Sequence, residues 1–119
     1  MIQSVVSLIG EMALSFEEEK VLIFFGPNAP EELKEVSVIQ ELKEHGDQPL
    51  AVGDKLVVGD QEYRVTSLGS EAYHNLLAIG HISIYFTEAP ADVLPGSVYV
   101  TPHVLPKIEV GTKIQFIQG

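Results

Sequence analysis

Four imidazoles, His45, His74, His81 and His103, are the groups in this chain best suited to chemistry. Near pH 7 a histidine is largely neutral, so a ring nitrogen can attack phosphorus without a separate strong base. None of the four has another histidine two, three or four residues away. The zinc-type helix with His and Glu at fixed spacing is therefore missing. Cysteine is absent, which removes disulfides, thiolate nucleophiles and Cys-bound zinc. No metal and no cofactor is expected. There is no G-x-S-x-G for a serine nucleophile, and no glycine-rich phosphate loop of either common pattern. Carboxylates are abundant, at Glu17-Glu18-Glu19, Glu31-Glu32, and Glu41 with Glu44. Adjacent acids of this kind usually form a solvated face, whereas general-acid work needs a shielded, perturbed carboxyl.

The histidines differ in their local sequence. His45 lies in Lys43-Glu44-His45-Gly46-Asp47, a polar stretch that reads as an exposed loop. His81 follows Gly80 at the junction of a helix-like and a strand-like segment. Each is a candidate acid–base or nucleophilic group, and each is equally readable as a surface or backbone-satisfied residue. His74, on the helix-like segment, and His103, between Pro102 and Val104, read as incidental.

The elements that must position these residues are mostly short strands. Alternation and turn signals predict strands over Ile2–Ile9, Lys20–Phe25, Val36–Glu41, Lys55–Val58, Glu62–Leu68, His81–Phe86, Ser97–Thr101 and Thr112–Ile117. Gly59-Asp60 predicts a hairpin, with the glycine supplying a positive φ. A short helical turn is expected over Pro30–Lys34, with Asn28 as a possible cap. A better helix is expected over Ser70–Ile79, capped by Ser70 and ended by Gly80. Many short strands at close spacing predict an all-β fold: a small closed or nearly closed β-barrel, mainly antiparallel, with one short helix at about 70–79. Ala51-Val52-Gly53-Asp54-Lys55-Leu56 echoes Glu109-Val110-Gly111-Thr112-Lys113-Ile114. Such an echo is either a recurrent way of starting a strand or a duplication.

At 119 residues, 45% hydrophobic and 20% charged, one domain over 1–119 is expected. Seven basic against 17 acidic side chains give a net charge of −10. That balance excludes a phosphate-binding face for nucleic acid and disfavours anionic membranes. A basic protein partner fits it, because opposite potentials steer encounter. The first twenty residues lack the positive start of a signal peptide. The apolar runs are far shorter than the roughly 20 residues of a membrane helix, so a cytoplasmic protein without membrane insertion is expected.

An ordered set of motifs narrows this further. Pro27-Asn28-Ala29-Pro30-Glu31-Glu32-Leu33-Lys34-Glu35 is followed by Val38-Ile39 and Val52-Gly53-Asp54. Then come Tyr63-Arg64-Val65-Thr66-Ser67-Leu68-Gly69, Asn75-Leu76 through Gly80-His81-Ile82, and Pro95-Gly96-Ser97-Val98. In this order and spacing the chain resembles the glucitol/sorbitol-specific IIA component of the phosphoenolpyruvate-dependent sugar phosphotransferase system. The resemblance implies a β-barrel phosphocarrier with HPr and the IIB part of a permease as partners. It would take a phosphoryl group from a histidine of HPr and relay it towards an incoming hexitol. The family's acceptor histidine is expected directly after the Val38-Ile39 pair, where this chain has Gln40. Glutamine cannot replace an imidazole, because its amide lone pair is delocalised. Three readings follow: His45 accepts the phosphoryl group through a shifted loop, another histidine such as His81 does, or the chain binds partners without carrying phosphate.

Overall fold

A computed structural model describes residues 1–119. Eight strands form: β1 (Ile2–Ile9), β2 (Val21–Phe25), β3 (Val38–His45), β4 (Lys55–Val58), β5 (Gln61–Leu68), β6 (Ile82–Tyr85), β7 (Ser97–Thr101) and β8 (Lys113–Ile117). Two helices, α1 (Glu31–Lys34) and α2 (Ala72–Ile79), interrupt them. The strands close into a barrel in the order β1-β3-β2-β6-β7-β5-β4-β8, with β8 returning to β1. Closure leaves no unpaired edge on these strongly apolar strands. Six neighbouring pairs are antiparallel; β2–β3 and β6–β7 are parallel. The expected all-β, mainly antiparallel barrel is therefore present, with two parallel pairs in it. No helix is long and apolar enough to cross a membrane.

Alternation explains which side chains fill the barrel. Leu22 and Phe24 of β2, Ile82 and Ile84 of β6, and Val98 and Val100 of β7 are buried in one cluster. Ala72 and Leu76 join it from α2, so that helix plugs one end of the barrel. Burial of this apolar surface is the main favourable contribution to the fold.

The structure shifts some element boundaries. β3 starts at Val38 instead of Val36, because the Val36 and Ser37 amides still bond back to Leu33 and Lys34 at the end of α1. It runs on to His45, since β1 supplies partners as far as the Ile2–His45 pair. His45 is thus the last residue of a strand. α2 starts two residues later than expected, and neither Ser70 nor Asn28 caps a helix: the residues before α1 and α2 are Pro30 and Glu71, without side-chain caps. Tertiary contact takes over that role, as the Glu71 amide donates to the Pro95 carbonyl at 2.8 Å.

The sequence echo turns out to be an internal repeat. Gly53 and Gly111 both have φ of 96°, each just before a strand. The Gly53 N–H donates to the Val65 carbonyl at 2.9 Å and the Gly111 N–H to the Val6 carbonyl at 2.8 Å. Val65 and Val6 donate in return to the carbonyls of Asp54 and Thr112, both at 2.9 Å. Further on, Gly10 bonds Ser37 and Gly69 bonds Ser97, both at 2.8 Å. Leu22 pairs with Ile84 and Phe24 with Ile82, so the β2–β6 ladder exchanges with itself. A pseudo-two-fold axis therefore relates β1, β2 and β3 to β5, β6 and β7, and β8 to β4.

Candidate functional site

The residues of interest gather where the end of β2, the end of α2 and the middle of β3 meet. Gly80 ends α2 in the left-handed region, with φ of 69°. The Gly26 N–H donates to the Ile79 carbonyl at 2.8 Å. A Cβ on Gly80 would lie 2.6 Å from the Gly26 nitrogen, so both the conformation and the contact require glycine.

Gln40 points inward and is 3% exposed. Its Oε1 accepts from the Ser4 hydroxyl, and its Nε2 donates to the Gly80 carbonyl at 2.9 Å. A cavity of about 200 Å³ opens beside it, between Pro27, Asn28, Leu42 and Leu77. Gln40 is a positioned structural amide: it ties β1 to β3 and to the end of α2, and it offers no nucleophile. Sequence reasoning overlooked Ser4, although its place between Ile2 and Val6 on the inward face of β1 was a usable signal.

His81 lies one residue beyond the carbonyl that Gln40 holds, on the outer side of the barrel wall. Its ring stacks on Phe25, with centroids 4.1 Å apart and planes 21° off parallel. Nδ1 is 3.1 Å from the Phe24 carbonyl. A carbonyl can only accept, so Nδ1 carries the proton and Nε2 presents a lone pair. Nε2 has no hydrogen-bond partner in the chain. The single buried side-chain polar atom without a partner is Ser37 Oγ, so Nε2 is reached by solvent. The His81 backbone N–H donates to the Asn75 carbonyl at 3.2 Å, which ties the backbone that carries the ring to the middle of α2.

The other histidines are held less firmly. His45 is exposed, five residues from Gln40 along β3 and hence about 16 Å away. Its Nδ1 has only a 3.4 Å contact with the adjacent Gly46 carbonyl, and Glu44 and Asp47 flank it. Those carboxylates oppose the approach of a phosphoryl dianion. His74 and His103 are exposed as well. The structure therefore brings His81 to the Gln40 region and leaves His45 at the far end of the strand. No group of three or more His, Asp or Glu is placed to hold a metal ion.

Comparison with known proteins gives this barrel a family. The family model described as the glucitol/sorbitol-specific IIA component of the phosphotransferase system matches residues 1–115. The chain belongs to that family. It is 31% identical over 116 residues to the glucitol/sorbitol-specific EIIA component of Escherichia coli K12, covering 96% of this chain and 92% of that relative. The Shigella flexneri EIIA component matches to the same extent. A crystal structure of a phosphotransferase-system IIA component from Enterococcus faecalis V583 superposes with a TM-score of 0.91 at 42% identity, covering 97% of this chain and 98% of that one. The resemblance read from the ordered motifs is thus the correct one. In this IIA chain the region after Val38-Ile39 holds a locked glutamine, with His81 as its closest well-oriented imidazole.

Proposed function

We propose that this chain is a cytoplasmic phosphoryl relay of a sugar-alcohol phosphotransferase system, and that His81 Nε2 carries the phosphoryl group from HPr to IIB. One observation carries the assignment: the Nδ1–H bond to Phe24 fixes the tautomer and leaves Nε2 free. In the step, the P–N bond to the HPr histidine breaks and its electron pair returns to that imidazole. A new P–N bond forms at His81 Nε2, and no proton need leave. The ring becomes a phosphoimidazolium, whose charge is shared through Nδ1–H with the Phe24 carbonyl. Transfer to IIB reverses these roles. Such chemistry rests on positioning and charge stabilisation, which a ring clamped by Phe25 and a backbone carbonyl supplies.

A second reading is favoured by Gln40. An amide bonded at both ends, where the resemblance expects the acceptor, suits a module that keeps the family surface and docks without transferring phosphate. Phosphorylation decides between the two. The chain is incubated with phosphoenolpyruvate, enzyme I and HPr, and its mass is followed for an acid-labile gain of about 80 Da, one phosphoryl group. The relay predicts label on the native chain and on His45→Ala, and none on His81→Ala. A native chain left unlabelled while HPr is labelled would overturn the relay, and HPr binding by that unlabelled chain would support the docking module. Label surviving His81→Ala would remove this histidine as acceptor.

A further inference from the structure

Beside His81 lies a small notch whose shape depends on Gly96. A Cβ built on Gly96 would sit 3.5 Å from His81 Nε2 and 3.5 Å from Asn75 Nδ2. Two side-chain nitrogens from different elements therefore converge on the space that the missing side chain leaves open. Neither makes a hydrogen bond within the chain, and neither is sealed from solvent. One is an acceptor, because Nδ1 of His81 already holds the ring proton. The other is an obligate donor, since an amide NH₂ has no lone pair to offer. Asn75 is half-buried and sits on α2, tied to His81 through its own backbone carbonyl.

The internal repeat shows that the fold does not require a histidine and a glycine at these two places. By the equivalence of the two halves, His81 corresponds to Val21 and Gly96 to Val36. Apolar residues fill those places in the other half. The same backbone frame thus carries two valines at these places in one half, and a histidine and a glycine in the other.

We infer that the His81–Asn75–Gly96 notch is a cradle for a tetrahedral oxyanion, the phosphoryl group itself, with Asn75 Nδ2–H donating to an equatorial oxygen while P bonds to His81 Nε2. Gly96 keeps free the position, 3.5 Å from both nitrogens, that one of the three oxygens would take. The inference rests on the relay reading for its biological meaning, but the cradle can be tested without transfer. A donor aimed at charge that develops on the transferred group contributes mainly to rate.

Two variants and two measurements test it. Gly96→Ala fits the fold, because its Cβ would stand at ordinary van der Waals distance from both nitrogens and Gly96 has no positive φ. Asn75→Ala removes the donor. In the enzyme I–HPr assay both should slow labelling by on the order of a hundred-fold, with unchanged HPr affinity and melting temperature. His81→Ala should abolish label. If the native chain is labelled on His81 and both variants keep the native rate, the cradle is overturned while the relay stands. The second measurement is an NMR titration of ¹⁵N-labelled protein with inorganic phosphate. Shifts at the Asn75 side-chain amide and His81 Nε2 that vanish in Gly96→Ala support the cradle, even if the relay has failed. No shift at either nitrogen in the native protein overturns the cradle, whatever the labelling shows.

Discussion

A buried amide and a buried phenol show what single residues do here. Gln40 is useful because an amide both accepts and donates: Ser4 needs an acceptor and the Gly80 carbonyl needs a donor. Gln40→Glu keeps the size and loses the donor, setting a carboxylate against a carbonyl at 2.9 Å. It should destabilise the fold by about 2–3 kcal/mol at neutral pH. Protonation restores a donor, so the native site raises that carboxyl's pKa. Stability is then retained at acid pH and lost as the pH rises, which denaturant titrations at pH 4 and pH 7.5 would reveal. Tyr63 donates its hydroxyl to the Val104 carbonyl at 2.8 Å, and desolvation by burial raises its pKa above the ordinary 10.0. The protonated phenol is thus favoured in the native state. Its contribution is complete below about pH 10 and falls as the pH climbs further, because the unfolded phenol ionises first. Tyr63→Phe should cost about 1 kcal/mol at neutral pH and lessen the alkaline loss. Tyr85, raised by desolvation and then by Tyr99, adds to the same alkaline loss. Equilibrium unfolding between pH 7 and pH 11 measures both effects.

At the scale of elements, the end of α2 does most of the positioning. Gly80 stops the helix, offers its carbonyl to Gln40, lies against Gly26 and directs the chain into His81 and β6. Gly80→Ala imposes a left-handed alanine, which costs about 1–2 kcal/mol, and also drives a methyl to 2.6 Å from the Gly26 nitrogen. Its melting temperature should fall, and the cross-peaks of Gln40 and His81 should shift together in an NMR spectrum. Gly26→Ala should act in the same direction, since its Cβ would lie 2.8 Å from the Ile79 carbonyl. Most of this architecture was legible. Gly80 reads as a helix stop from its type and place, and Lys55–Val58 and Ser97–Thr101 were read with their observed bounds. The ends of β3 and the start of α2 were not, for one shared reason. Local preference predicted a Ser70 cap and a strand ending at Glu41, whereas the Pro95 carbonyl and the length of β1 determined the outcome.

At the scale of the whole molecule, charge and symmetry matter most. A net charge of −10 on a barrel with radius of gyration 12.7 Å makes a strong long-range field. Ion pairs do little to cancel it: the three salt bridges all lie in partly or largely exposed side chains. A basic docking partner should therefore associate quickly at low salt. Raising the ionic strength from 0.02 M to 0.5 M should slow HPr association by on the order of ten-fold, with a smaller change in dissociation. Stopped-flow fluorescence would measure both rates, and an association rate indifferent to salt would show that the acidic surface has no part in docking. Symmetry supplies the scaffold on which one half differs from the other. Val21 and Val36 put apolar side chains, one buried and one half-buried, at the places that His81 and Gly96 take in the other half.

By itself, the sequence determined the strands, the absence of cysteine and of close-spaced histidine pairs, the acidic charge and the family. These follow from local alternation, composition and the order of motifs along the chain. Tertiary structure decided which imidazole is oriented and which is merely exposed. His45 and His81 are indistinguishable as residue types; they differ because Phe24, 57 residues before His81, offers that ring a carbonyl. Gln40 is locked by Ser4, 36 residues before it, and by Gly80, 40 residues after it. Contacts made across the barrel have no local signature. They exist only once closure brings distant strands side by side.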